Sequence, residues 1–489
     1  MKTRFLNICM IALAISFASC EKAPQKGPDQ PTVVPPAEGF VTIVNADGSV
    51  LVESDYAQNT VNNLINAIKD YAGYDNLAVQ EVNPETGEIS ETGETVKCSN
   101  VFYLQRGGMY FIEGKGKINS QKEIKDEEGN VIETIMVDNV IIKAEDGNGA
   151  LPVIQPIADS QGSTSADMLI FETSAELENI HFNAIDPMTQ SIMQRMLRIE
   201  AKKGKISLRN CFADYCANSF VRIEAKDTQI ELVNSTFRNL AKGFSSNGRL
   251  VDTRGNNVKS LIINNCTVYN MVGRIIRYDK CTIDRMEMTH NTFYNCGYGL
   301  QFEKPVVLTV EDNIFADNGW YTSSDAYKRV TDGGDFELDE NGKKILNNDF
   351  WDITGYTKEN EDGTVTITGD LTNVKVSIRN NNVFTSKTLS DLYVKYAETA
   401  HAPVLELGPA EQALVDNGAV KFEKNISEVL TFDNAPELPV KFLEERLSTL
   451  TKEETIKEYF YSDGEYSFSY PSSAQSSTAA TDGGKLGVR

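Results

Sequence analysis

The residues best suited to do chemistry are arginines that recur at one position of a repeated strand. In the runs MLRIEA, FVRIEA and RIIRYD, they are Arg198, Arg222 and Arg277. If the runs stack about 4.8 Å apart, these side chains form a polar column. Such arginines can bind carboxylates in bidentate fashion or remove the proton beside a uronate carboxylate. The alternative is that they pair with acidic neighbours on a solvated face, where ion pairs contribute little.

The rest of the column is polar but mixed in charge. The runs RLVDTR and GLQFEK place Asp252 and Gln301 at the same position. Two residues further on, the five runs carry a second polar column, formed by Glu200, Glu224, Arg254, Asp279 and Glu303.

A second candidate is an aromatic-rich segment between two of the repeats. It contains both tryptophans of the chain, Trp320 and Trp351, with Tyr321 and Tyr356 close by. Aromatic rings stack on the C–H faces of sugars, so the segment predicts a glycan-binding surface. The alternative is that these rings only pack the segment onto the repeats.

Charge and missing motifs exclude several function classes. The 489 residues include 70 acidic and 47 basic side chains, a formal charge of −23, so we expect no nucleic-acid partner. The sequence lacks a P-loop and the Gly-x-Ser-x-Gly and His-Glu-x-x-His motifs. We therefore expect no catalytic residue, no metal and no cofactor, with Ca²⁺ considered only for a uronate lyase.

These candidates lie on an internal repeat that extends from about residue 175 to 384. The segments AELENIHF, IELVNSTF, LIINNCTV, MEMTHNTF and LTVEDNIF share alternating apolar residues, an Asn and a final Phe or Val. With KISLRNCF included, the final residues are 30, 25, 31, 25 and 22 residues apart. Short alternating strands between Asn or Gly turns, at this period, predict the coils of an all-β parallel β-helix.

The repeat also predicts what lies inside the coils and at their corners. We expect an inward aromatic stack of Phe212, Phe237, Phe293 and Phe315. We expect a recurring corner of asparagines, which tolerate the left-handed conformation and can bond to one another, at Asn179, Asn210, Asn234, Asn265, Asn291 and Asn313.

The N-terminus predicts export and lipidation. A basic start, a short apolar run and the residues Phe-Ala-Ser before Cys20 are typical of a lipoprotein signal, in which Cys20 is acylated. Five of the fifteen prolines follow within residues 21–39, a composition that predicts an extended tether. The remaining six cysteines fall mostly within the repeats, so we expect buried thiols rather than disulfides.

These signals divide the chain into five parts. We predict a signal peptide at 1–19, the acylated Cys and tether at 20–39, and an N-terminal cap with the first coils at 40–160. Coils follow at 161–400 with an inserted segment at 319–372, and a C-terminal capping region occupies 401–489. A helix capped by Asn59 or Thr60 is predicted to cover the first coil, with an apolar face formed by Val61, Leu64, Ile65, Ala67 and Ile68.

The lipobox, the tether, the Asn-x-x-Phe and Asn-x-Phe coils and the C-terminal GKLGVR resemble lipoproteins of Bacteroidetes-type bacteria. Those proteins carry pectin-lyase-like right-handed parallel β-helices, paired domains of unknown function found with polysaccharide-uptake systems. The resemblance implies a right-handed solenoid and a glycan context. It also implies a lipid anchor in the outer membrane, at the cell surface or alternatively on the periplasmic face, and an outer-membrane uptake complex as a partner.

Three functions remain open. The first is non-catalytic polysaccharide binding by Trp320, Tyr321, Trp351 and Tyr356 together with Arg198, Arg222 and Arg277. The second is a polysaccharide lyase acting on a uronate-containing glycan, with Arg222 or Arg277 as the base. The third is an adhesin or scaffold that binds a protein. A fully paired arginine column with buried tryptophans would favour the third.

Overall fold

The computed structural model describes residues 42–83, 85–241, 247–320, 350–395, 407–449 and 460–489. The signal, Cys20, the tether and Tyr321 lie outside these residues. The chain divides into two compact units, Met1–Tyr215 and Cys216–Arg489. In the described part of the chain, no helix is both long and apolar enough to cross a membrane.

The first unit has helices α1 (Asp55–Gln58) and α2 (Asn63–Tyr71). Its strands are β1 (Ile43–Val44), β2 (Val50–Val52), β3 (Leu77–Val82), β4 (Ile89–Val96), β5 (Val101–Leu104), β6 (Met109–Glu113), β7 (Gly116–Ile118), β8 (Gln121–Lys125), β9 (Val131–Met136), β10 (Asn139–Ala144), β11 (Val153–Ile157), β12 (Asp167–Phe171), β13 (Ser174–Glu178), β14 (His181–Asn183), β15 (Arg195–Ile199), β16 (Lys205–Arg209) and β17 (Phe212–Cys216).

Three parallel stacks make up its coils: β2-β5-β10-β13-β16, β6-β11-β14-β17 and β7-β12-β15. Successive strands along the chain belong to different stacks, as β5, β6 and β7 do. The hairpins β3–β4 and β8–β9 are antiparallel.

The second unit has helices α3 (Lys387–Lys395), α4 (Pro409–Asp416) and α5 (Val440–Thr449). Its strands are β18 (Ser219–Ile223), β19 (Thr228–Val233), β20 (Thr236–Leu240), β21 (Arg249–Asp252), β22 (Val258–Asn264), β23 (Thr267–Met271), β24 (Ile276–Arg277), β25 (Ile283–Thr289), β26 (Thr292–Cys296), β27 (Leu300–Glu303), β28 (Val307–Glu311), β29 (Ile314–Ala316), β30 (Trp351–Thr354), β31 (Thr357–Glu359), β32 (Val365–Ile367), β33 (Lys375–Arg379), β34 (Asn382–Phe384) and β35 (Val420–Glu423).

Its coils again form parallel stacks: β19-β22-β25-β28-β33-β35, β20-β23-β26-β29-β34 and β18-β21-β24, with β27 beside β30. Strands alternate between buried and more exposed residues, as β28 does from Val307 to Glu311. These stacks confirm the predicted all-β parallel β-helix. Strand β30 lies within the segment 319–372 and pairs in register with β27.

The interior stack is confirmed for three of its four phenylalanines. Phe237, Phe293 and Phe315 are fully buried, and the rings of Phe293 and Phe315 are stacked 5.1 Å apart. Phe212 was placed wrongly. Phe182 pairs in register with Ala213, so Ala213 takes the inward position, while Phe212 contacts the His181 ring at its edge.

The asparagine corner is confirmed at Asn179, Asn210, Asn234 and Asn265, whose φ angles lie between 50° and 56°. In the next two coils the left-handed residues are His290 and Asp312. The asparagines that follow them are buried and form a separate ladder, in which each Nδ2 donates to the next Oδ1 along Asn291, Asn313, Asn381 and Asn425.

The N-terminal helix begins later than predicted, so Val61 precedes it, and three of the five residues of the predicted apolar face are buried. Helix α2 starts at Asn63, with Leu64, Ala67 and Ile68 buried against the first coil. Asp55 ties it down because its carboxylate accepts hydrogen bonds from the backbone N–H groups of Asn63 and Phe111. The six cysteines outside the signal are buried free thiols, as predicted.

Candidate functional site

The arginine column in the first unit is neutralised by carboxylates. Ile170 and Arg198 pair in register on neighbouring strands. The Arg198 guanidinium lies 3.3 Å from Asp167 and 2.8 Å from Glu200. Asp167 is 2% exposed and also binds Arg195. These contacts lower the pKa of Asp167 against the opposing effect of its burial. Arg198 is therefore held in ion pairs.

The column in the second unit alternates in charge, because the strand register places an aspartate between two arginines. Arg222 pairs with Asp252, and Asp252 pairs with Arg277 on the next strand. Arg222 lies 2.5 Å from Glu224, and Arg277 lies 3.6 Å from Asp252.

Each of the two arginines that the lyase hypothesis needs thus has an acidic partner. Arg277 also lies 3.1 Å from Asp279, and 31% of its side chain is exposed. An arginine held by carboxylates of its own coil or of the neighbouring coil is a poor receptor for a further carboxylate. The geometry matches the self-neutralising interpretation of the column.

The tryptophans lie in the core, which corrects the prediction of an open aromatic platform. Trp320 is 0% and Trp351 1% exposed, so neither indole presents a face to a sugar. Trp351 packs edge-on against Phe315, and Trp320 packs edge-on against Phe442. Tyr356 is 7% exposed, and its hydroxyl donates to the carbonyl of Pro305. These rings pack the segment onto the last coils and helices. This arrangement matches the alternative in which the aromatic residues have a packing role and do not bind sugar.

A cavity of about 480 Å³ lies elsewhere in the second unit, between the β26–β29–β34 stack and the segment 429–440. Its volume falls within the range of about 300–1,000 Å³ typical of small-molecule sites. The coils contribute Tyr294, Asp317 and Phe384, and the covering segment contributes Phe432 and Glu437. Aromatic rings, hydroxyl groups and carboxylates therefore converge on one space.

Aromatic packing holds the covering segment on the coils. The Phe432 ring lies 6.2 Å from Tyr294, 6.3 Å from Phe384 and 5.2 Å from Phe468. The Tyr294 hydroxyl donates to the carbonyl of Pro436. Phe432 is only half-buried, so part of its ring remains available at the cavity.

Asp317 lies at the end of a second series of corners. Asn239, Asn270 and Asn295 precede it in the left-handed conformation, with φ between 52° and 57°, and Asp317 follows with φ 54°. The last coil of this series therefore places a carboxylic acid where the three preceding coils have an amide. Its Oδ1 accepts a hydrogen bond of 2.6 Å from the Ser386 N–H.

The cavity is electronegative. Burial raises the pKa of Asp317 to about 6, against the effect of the Ser386 hydrogen bonds. Burial also raises the pKa of the Tyr294 hydroxyl, and the negative charges of Asp317 and Glu437 raise it further. Tyr294 therefore remains a neutral phenol, and the charge that the cavity offers a ligand is negative.

The cavity could not be predicted from the sequence because its walls come from segments that are distant along the chain. One signal was present in the sequence. Each inward residue of the repeat is followed two positions later by an asparagine, at Asn239, Asn270 and Asn295, and then by Asp317 in the last coil. No sequence period brings residues 429–440 onto that corner.

Metal ligands are not grouped in the described ranges. Within them, no set of three or more His, Cys, Asp or Glu side chains is close enough to hold an ion. His290 lies 3.4 Å from Asp312 at a corner where the C-terminal segment also binds.

Comparison with known proteins gives little beyond this geometry. No protein-family model matches the chain, and no curated protein matches it. Among solved structures, it is similar to the PL6 family polysaccharide lyase Pedsa3628 from Pseudopedobacter saltans. The two are 11% identical, with 75% of this chain and 90% of that chain covered and a TM-score of 0.31. A likeness at this level carries no argument about activity.

Proposed function

We propose that this protein is a cell-envelope lipoprotein that binds polysaccharide without cleaving it, and that the sugar occupies the cavity around Asp317. The observation that carries the proposal is the composition of that cavity. A half-buried Phe432 ring offers a surface for the C–H face of a sugar. Asp317, Ser386 and Thr388 surround it with groups that can bond to sugar hydroxyls.

Attachment to the membrane belongs to the same proposal and is supported by the sequence alone. A lipid on Cys20 and the Pro-rich residues 21–39 would hold the β-helix away from an outer membrane. In that position the cavity could receive the chains that an uptake complex imports.

The lyase alternative is less well supported. It needs an arginine free to neutralise or deprotonate a uronate, whereas Arg222 and Arg277 each contact carboxylates within the column.

A protein-binding scaffold is the second candidate function. The paired arginine column and the buried tryptophans favour it, since both features stiffen the solenoid without offering a glycan surface. Glycan binding is proposed for the cavity, whereas a scaffold would bind its protein partner on the solenoid. A variant that fills the cavity should therefore impair the first function and not the second.

The test uses affinity gels that contain neutral or acidic polysaccharides and the mature chain without its signal. Thr388 is exposed at the cavity rim, so Thr388→Trp fills the mouth without disturbing the core. We expect retention of the unaltered chain and about tenfold weaker retention of Thr388→Trp. Lys421→Trp, an exposed change on β35 outside the cavity, is the matched control and should be retained normally.

Three results would count against the proposal. Equal retention of Thr388→Trp would move the site away from the cavity. An unsaturated uronate product, seen by its ultraviolet absorbance, would support the lyase alternative. A lack of retention on every polysaccharide would favour the scaffold.

A further inference from the structure

The charges that line the cavity all have the same sign. Among the described residues at its wall, the charged side chains are Asp317 and Glu437. Both residues line the same cavity, and the negative charges of both raise the pKa of the Tyr294 phenol. An anionic sugar placed there would be repelled at short range.

Asp317 also has little to offset its charge. It is 2% exposed, and in the described part of the chain no Lys, Arg or His contributes to its electrostatics. Its described polar partner is Ser386. A desolvated carboxylate without a cation is unfavourable, and a ligand that brings a positive charge would remove that cost.

The arginine column shows how this chain treats two of its other buried acids, whereas a third, Asp55, is held by backbone N–H groups. Asp167 and Asp252 are about as buried as Asp317, yet each contacts two arginines. Asp317 differs from both because it lines a cavity rather than a packed strand. The missing counter-ion coincides with space for a ligand.

From this coincidence we infer that the cavity selects a glycan that bears a free amine, an amino sugar whose ammonium group pairs with Asp317. The inference rests on the proposed glycan-binding function and names its ligand class. The sugar ring would lie against Phe432, and Glu437, which is exposed at the rim, would attract the next amine along the chain.

The test is calorimetric titration of the mature chain with three oligosaccharides of equal length. They are a glucosamine oligomer, its fully N-acetylated counterpart and an oligouronate. The pH is set about one unit above the Asp317 pKa of about 6, where the carboxylate is largely charged. We expect the amino oligomer to bind at least about tenfold more tightly than the acetylated one, and the oligouronate not to bind.

Asp317→Asn tests the assigned contact. Asparagine occupies the same left-handed corner in the three preceding coils, so the variant should fold. It keeps an oxygen for the Ser386 N–H and removes the charge. We expect it to lose the preference for the amino oligomer while still binding the acetylated one. Glu437→Gln, at the exposed rim, should reduce the preference by a smaller factor.

The outcomes separate the inference from the function on which it rests. If the acetylated oligomer binds in the cavity as tightly as the amino oligomer, the inference is overturned and the proposed function stands. If Asp317→Asn retains the preference, the assigned contact is wrong. If no oligosaccharide binds the unaltered chain, both fail.

Discussion

Asp252 is a buried carboxylate of the second unit that forms an ion pair with a buried arginine. Its side chain is 1% exposed and lies 3.4 Å from Arg249, whose own side chain is 8% exposed. Burial lowers the pKa of Arg249, and the charge of Asp252 opposes that effect. The column is therefore a structural device, in which a buried cation depends on its carboxylate.

We predict that Asp252→Asn destabilises the protein by about 3 kcal/mol, because it leaves the Arg249 cation buried without a counter-charge. Chemical denaturation measures the loss. Asp279→Asn is the matched control, since Asp279 also contacts Arg277 but is 43% exposed, and it should cost less than about 1 kcal/mol. Equal losses would mean that burial does not determine the strength of these pairs.

Asp317 makes stability depend on pH. Its pKa is about 6 in the folded state against a reference value of 3.8. Between these values the folded chain holds a proton that the unfolded chain has released. The contribution therefore favours folding at low pH and is lost as the pH rises through about 6. The other titratable groups that line the cavity with Asp317 are Tyr294 and Glu437.

We predict that Asp317→Asn gains stability relative to the unaltered chain between pH 4 and pH 7, by up to about 3 kcal/mol. Urea denaturation at both ends of this range measures the difference. A constant difference at the two pH values would show that Asp317 titrates normally.

At the scale of elements, the buried asparagine ladder ties successive coils together. Asn313 accepts two hydrogen bonds from Asn291 and donates to the carbonyl of Met288 and to Asn381. Both Asn291 and Asn313 are 0% exposed, so no water replaces a lost partner.

We predict that Asn313→Ala destabilises the protein by about 2–3 kcal/mol, because it leaves buried polar groups unsatisfied on two neighbouring coils. The comparison is Asn425→Ala, at the half-buried end of the same ladder, where water can reach the freed groups. Thermal denaturation should show a clearly smaller loss there. Equal losses of stability would show that burial does not determine how much each asparagine of the ladder contributes.

The corners also show which parts of the coils a sequence can reveal. Strand alternation identified the inward positions of Phe237, Phe293 and Phe315, because burial repeats every two residues. Phe212 was misplaced because it lies two residues after the left-handed corner at Asn210, whereas Phe237 lies three residues after its corner at Asn234. A shift of one residue reverses the face of a strand. The pairing of Phe182 with Ala213 on the neighbouring strand shows that Ala213 occupies the inward position.

At the scale of the whole molecule, the repeat and the N-terminal helix were predictable because they are local and periodic. The burial of Trp320 and Trp351 was not, since it depends on helices and strands that are distant in sequence, including Phe442 and Phe422. The cavity depends likewise on residues 429–440 reaching the corner at Asp317. Long-range packing, rather than composition, determines where this protein offers a site.

Hydrogen–deuterium exchange with and without a saturating oligosaccharide locates the binding site. The assignment of the cavity as that site predicts added protection in the peptides that contain residues 384–388 and 429–440, including the Ser386 amide that donates to Asp317. The peptides that carry Arg222 and Arg277 should exchange unchanged. Protection centred on the arginine column, with none at the cavity, would contradict that assignment.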